Sequence, residues 1–168
     1  PRSGTGGRGA DPDPVAAIAA ALQPSGLVPR GWLLPDPGPA PLLAGGAPAA
    51  AICLIGHEGG GFWPVFKAWW QAHPDVSDPL DDWSRAVIDP VAEWLGCEAV
   101  YPSDRPWQPF QRWAMRAEGL KPSPLGMLIH PEFGLWHGYR GAIVLDHLAF
   151  GRQGDRVPDS PPLVSHPC

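Results

Sequence analysis

The chain has 168 residues, with 12 basic and 17 acidic side chains and a formal net charge of −5. That length supports one domain with a real core, and the lack of a basic stripe disfavours a nucleic-acid partner. No apolar run is long enough to span a bilayer and the N-terminal stretch has no apolar signal core, so neither a membrane nor a secretory role is expected. The three cysteines, Cys53, Cys97 and Cys168, are too few for a disulfide framework. Cys53 and Cys97 read as small buried hydrophobes, and a reducing cytoplasm is the expected location. The 24 prolines and 21 glycines suit disorder, but nine tryptophans contradict it for the middle of the chain. Residues 1–13 are therefore expected to be a flexible tail, 14–152 the folded domain and 153–168 an extended linker. The chain also lacks a starting Met, so a longer N-terminus is expected.

In chain order, residues 14–22 form an Ala-rich helix, with Asp13 as N-cap and Pro14 at the first helical position. "LVPRGWLLP" reads as a strand and "PDPGPAPLLAGGAP" as a proline-rich loop. Residues 49–55 are an apolar strand. "GHEGGG" then turns into a helix on which Phe62, Phe66, Trp69 and Trp70 make one apolar stripe. The next helix starts at Asp78, with Pro79 in its first turn and Asp81 and Asp82 complementing its positive end. Leu80, Trp83, Val87, Val91 and Trp94 form its core stripe, Pro90 should kink or divide it, and Gly96 ends it. "CEAVYPS" reads as a strand and "PWQPFQRWAMRAEGL" as a helix ending at Gly119. "GMLIH" reads as a strand, "HPEFGLWHG" as a loop and "YRGAIVLDHLAF" as a long strand. The last two strands are joined too tightly for a parallel crossover. The fold class is α+β, a mixed, largely antiparallel sheet with flanking helices.

The glycine loop at 56–61 matches neither the dinucleotide fingerprint nor a P-loop, and Glu58 would repel phosphate. It is either a flexible turn or a bare backbone, at Gly59 and Gly60, that lets a large flat ligand approach. His57 with Glu58, and His130, His137 and His147 at spacings of seven and ten, fit no zinc signature. Neither Cys53 nor Cys97 has the setting of a nucleophile. Trp136 differs from the helical tryptophans: it sits in a glycine-flanked turn near His137, Tyr139 and Arg140. Arg140 could stack on an aromatic or fork onto an amide or carboxylate, or else pair with an internal acid.

"IHPEFGLWHGYRGAIVL" resembles the Ile-His-Pro-x-Phe/Tyr-Gly-x-Trp-x-x-x-Arg-Gly/Ala signature of the CblC type of cobalamin-processing proteins, a half also found in epoxyqueuosine reductases and related bacterial ferredoxin-like proteins. The matching residues are Ile129, His130, Pro131, Phe133, Gly134, Trp136, Arg140 and Gly141. "AAICLIGHEGGGFWPVFKAWW", "DPLDDW" and "DRPWQPFQRWAMRAEG" resemble upstream segments of the family, in the same order. The resemblance implies a fold related to flavin nitroreductases and a cleft holding the corrin ring of cobalamin. It implies that Arg140 touches a corrin amide or a thiol cosubstrate, that His130 and Trp136 shape the cleft wall, and that Gly134, Tyr139 and Gly141 belong to the same cofactor-binding segment. The family chemistry is reductive removal of the upper axial ligand, or electron delivery to cobalt from a donor protein. A histidine that some members carry aligns with Met115. "SHPC" resembles the entry to a cysteine-rich region, with Cys168 as a first iron–sulfur ligand if the chain continues, since one cysteine cannot hold a cluster. A flavin-dependent reductase and a non-catalytic interaction domain docking through exposed tryptophans are the competing readings.

Overall fold

The computed structural model describes residues 14–35 and 46–145. The expectations for the tail, most of the proline-rich loop, His147, the C-terminal linker and Cys168 lie outside those residues.

Four strands, β1 (Val28–Leu33), β2 (Ala51–Glu58), β3 (Glu98–Val100) and β4 (His137–Leu145), form one sheet in the order β1-β2-β4-β3. Among the described residues every neighbouring pair is antiparallel, so the parallel component expected of a mixed sheet is absent. The reason is visible in the two central strands. β2 runs from apolar Ala51 to polar Glu58, whereas β4 runs from polar His137 to apolar Leu145. Only antiparallel pairing sets Ala51 against Leu145 and Glu58 against His137.

Among the described residues four α-helices flank the sheet: α1 (Pro14–Leu22), α2 (Trp63–Ala72), α3 (Pro79–Trp94) and α4 (Phe110–Glu118). β2 and β4 are buried on both faces, which their near-continuous apolar runs require. Cys53, Ile55, Ile143 and Leu145 pack with α1, α2 and α3, centred on Trp83. Ile52, Leu54, Ala142 and Val144 pack on the other face with Phe110, Trp113 and Ala114 of α4. No described helix is long and apolar enough to cross a membrane.

Three local expectations change. Pro90 does not divide α3, which runs unbroken to Trp94. Val87, Ile88, Val91 and Ala92 are buried on either side of Pro90, and this packing holds both halves to the sheet despite the lost backbone donor. "GMLIH" is not a strand. It makes only isolated bridges, Pro122 with Leu128 and His130 with Gly134, and Met127 and Ile129 stay 45% and 48% exposed. Prolines at 122, 124 and 131 remove the donors a ladder needs. The expected terminal hairpin therefore gives way to a β4 that pairs with β2 and β3. Finally, the α2 stripe is narrower than expected. Phe66 is buried, but Trp70 lies outside it, stacked on the Phe66 ring.

Candidate functional site

Two β-bulges flank the same point of β2. Between β1 and β2, pairing passes from Pro29 opposite Ile55 to Gly31 opposite Leu54, leaving Arg30 out of register. Between β2 and β4, it passes from Gly141 opposite Ile55 to Tyr139 opposite Gly56, leaving Arg140 out. Bulges re-aim the side chain they displace, and here each displaced residue is an arginine. Gly56 sits between them because it must: a Cβ there would lie 2.0 Å from the Gly138 carbonyl oxygen and 3.2 Å from Arg30 Cγ.

The two arginines meet different surroundings. The Arg30 side chain is fully buried and its Nη2 lies 2.7 Å from Glu118 Oε2 on α4. Its Nη1 donates to the His57 carbonyl at 2.7 Å, and its Nε lies 3.4 Å from Glu58 Oε1. The guanidinium also sits 5.2 Å from the Tyr139 ring centre, and the Tyr139 hydroxyl donates to Glu118 Oε1 at 3.1 Å. Burial and the Glu118 charge raise the Tyr139 hydroxyl above the usual tyrosine range, so it is a donor and not a phenolate. Arg140 has no such partner. Its side chain makes no hydrogen bond or ion pair with any other described residue, and its Nε is buried without an acceptor. Burial lowers its proton affinity, opposed by the carboxylates of Asp81 and Asp78 at the start of α3.

The glycine loop and the His-Pro turn come together. The Gly59 N–H donates to the Trp136 carbonyl at 2.6 Å, and Phe133 Cδ1 lies 3.8 Å from where a Gly59 Cβ would stand. Gly59 takes a left-handed φ of 61° and Gly134 one of 59°, conformations that suit glycine. A side chain at Gly60 or Gly61 would meet nothing within 4 Å, so this backbone forms an open ledge. Trp136, 77% exposed, and Leu135, 58% exposed, stand at its rim. His130 Nδ1 accepts from the backbone N–H groups of Glu132 and Phe133 at 3.1 and 3.2 Å, which locks the turn. Its ring lies 4.9 Å from that of Phe133 and 5.6 Å from that of His137.

His57 belongs to β2 and not to the loop, two residues beyond the sequence boundary of the strand at Ile55. Its Nδ1 lies 3.2 Å from the Gly59 carbonyl oxygen. Burial pulls the imidazole below the ordinary histidine value; the Gly59 carbonyl opposes this, and the charges of Arg140, Arg30 and His137 add to it. His57 is therefore neutral at physiological pH, with Nδ1–H donating to Gly59 and a lone pair on Nε2.

The structure thus places Gly59, Gly60, Gly134 and Trp136 on one ledge with His130 behind it, and Arg140 further along β4. From Trp136 to Arg140 is four strand steps, roughly 13 Å. Arg140 does not stack on Trp136: the arginines over aromatic rings among the described residues are Arg30, Arg85 and Arg105. Tyr139 faces the α4 side, and Gly141 is a packing position, where a Cβ would press on Ile88 and Tyr101 at 3.0 Å. Burial pushes the Cys53 thiol far up, so it is inert. No group of three or more metal-ligating side chains occurs among the described residues. A groove of about 340 Å³ along α2, lined by Trp63, Lys67, Trp70, Gln71 and Pro74, involves none of the residues singled out from the sequence.

Arg30 and Glu118 are the members that motif reading passes over, and His57, weighed there only as a metal ligand, is instead a strand residue. A signal for Arg30 was present: a charged residue followed by Gly inside an apolar strand, the pattern of a bulge. No family model matches the chain, and no curated protein matches it.

Proposed function

We propose that this chain is a corrinoid-binding domain that holds cobalamin for reductive processing, with electrons from a donor protein in a reducing, cytoplasmic setting. One observation carries the reading: the glycine ledge and the Trp136 turn, which resemble separate segments of CblC-type proteins, are joined by the Gly59–Trp136 hydrogen bond into a single open platform. The residues present suit a large planar ligand. Bare backbone at Gly60 and Gly61 permits close approach, Trp136 offers an exposed ring at the rim, and the Arg140 side chain has no hydrogen-bond partner among the described residues. A bound corrinoid would supply a cobalt centre that can exchange or lose its upper axial ligand; the protein's part is to grip the ring's edge and exclude water from one face. An iron–sulfur cluster has no ligand set among the described residues, and Cys168 lies outside them.

The test is spectroscopic. Hydroxocobalamin and methylcobalamin added to the protein should shift to the base-off absorption pattern, with binding weakened about tenfold by Trp136→Ala. An unchanged spectrum at high micromolar protein overturns the reading. A flavin mononucleotide titration run beside it tests the competing reductase, which predicts a bound yellow flavin instead. The interaction-domain alternative draws its support from Trp63 and Trp70, 50% and 43% exposed beside the α2 groove.

A further inference from the structure

Helix α2 carries a row of exposed side chains whose polar groups no other described residue engages. Trp63, Lys67, Trp70, Gln71 and Pro74 recur at helical spacing along α2 and just past its end, and together they line a groove of about 340 Å³. The buried Phe66 ring lies between the two indoles, 5.6 Å from that of Trp63 and 5.9 Å from that of Trp70. The two indole N–H groups, the Gln71 amide and the Lys67 ammonium make no hydrogen bond or ion pair with another described residue. The groove begins where the ledge ends, because the Trp63 N–H donates to the Gly60 carbonyl at 3.0 Å. We propose that this groove is a docking site for a partner protein's proline-rich segment that carries an acidic residue between its prolines.

The chemistry of the groove selects its occupant. Its side chains present two indole N–H groups, an ammonium and an amide NH2, against one amide oxygen as acceptor. A proline-rich segment is the complement: its carbonyls are unpaired, its prolines have no N–H, and its pyrrolidine rings pack on aromatic faces. The spacing agrees. Trp63 and Trp70 lie two helical turns apart, roughly 10 Å along the axis, and prolines three apart in a polyproline II helix are roughly 9 Å apart. Lys67 stands between the tryptophans in the chain and favours an acid between the two prolines. A helical partner already bonds its carbonyls within itself. A second copy seated symmetrically on α2 would set donors against donors and Lys67 near its own counterpart. The site is independent of the corrinoid reading, since no ledge residue lines it.

The experiment titrates the full chain into a dye-labelled hexapeptide, Pro-Pro-Asp-Ala-Pro-Pro, and follows the anisotropy of the dye. The native chain should bind it, and Trp70→Ala should weaken binding by about tenfold. Lys67→Glu, at an exposed helical position, should weaken it as well and reverse the preference over a counterpart peptide with Lys in place of Asp. The thermal midpoint of Lys67→Glu should stay unchanged, so that its effect reports docking and not unfolding. No binding at high micromolar protein overturns the proposal, as does equal binding of a hexapeptide with alanine at every proline. Peptide binding that survives both substitutions lies elsewhere on the protein and overturns the groove. A native dimer that Trp70→Ala splits into monomers in sedimentation assigns the groove to a second copy and likewise overturns the proposal. Hydroxocobalamin should bind the native chain and Trp70→Ala alike, so failure of the peptide arm leaves the corrinoid reading standing, and failure of the corrinoid arm leaves the docking site standing.

Discussion

Gly56 of β2 and Gly138 of β4 lie one register step apart across the strand pair, yet they should respond to alanine in opposite ways. At Gly56 the new methyl would run into a backbone carbonyl oxygen at 2.0 Å, which can move only if the strands part. Gly56→Ala should therefore cost about 3 kcal/mol or more, read as a fall in the urea midpoint, while Gly138→Ala, whose methyl meets only the side-chain tips of His57 and Arg140, leaves that midpoint in place. His57 gives a second test at this scale. Its folded proton affinity is below the ordinary value of 6.5, mainly through burial. Above that value it is neutral in both folded and unfolded chains and contributes no pH dependence. Below it the unfolded chain takes up a proton that the fold resists, so stability falls as pH drops until the folded value is passed. Comparing His57→Gln with the native protein at about pH 7 and about pH 5.5 should show a shallower loss in the variant; an identical slope would mean that His57 is not held neutral.

Helix α3 shows how an element's sequence signals can be sufficient at one end and overridden at the other. Asp78 accepts from the Asp81 N–H at 3.5 Å, with Pro79 next, so the start follows local capping rules. Pro90, expected to kink or divide the helix, does not divide it, and the packing on either side of it gives the reason. Trp83 is the anchor of that packing: it is 1% exposed and its ring lies 5.8 Å from Phe62 and 5.5 Å from Phe66. Trp83→Ala should cost about 3–5 kcal/mol with cooperative unfolding retained; a loss under about 1 kcal/mol would show that the α2–α3 contact is dispensable. Conversely, "GMLIH" has strand-like composition and no strand, because the flanking prolines at 122, 124 and 131 remove donors a ladder needs.

For the whole molecule, Arg30 ties the ledge to the scaffold. It joins β1 to Glu118 of α4, to the His57 backbone on β2 and to the Tyr139 ring on β4. Removing it strands a Glu118 side chain that is only 11% exposed. Arg30→Met should cost about 3 kcal/mol, and adding Glu118→Gln should cost less in that background than in the native one. Full additivity in a double-mutant cycle would show that the two do not act together. A corrinoid, if it docks on the ledge, should also raise the thermal midpoint in proportion to its concentration over its Kd.

The sequence by itself determined the α+β class, the bounds of α1, the capped start of α3, the existence of the apolar strands β2 and β4, and the glycine and Trp136 segments as the places where the chain is oddly furnished. These are local: they follow from capping residues, apolar runs and glycines whose effects reach a turn or a strand. Tertiary structure alone decided the antiparallel order, the paired bulges and the fates of the two arginines. A bulge is a property of two strands in register, and whether an arginine finds a glutamate depends on a helix that lies 88 residues away in the chain. That is why Arg30, unremarked in a strand-like run, is consumed by the scaffold, whereas the Arg140 side chain finds no such acid among the described residues.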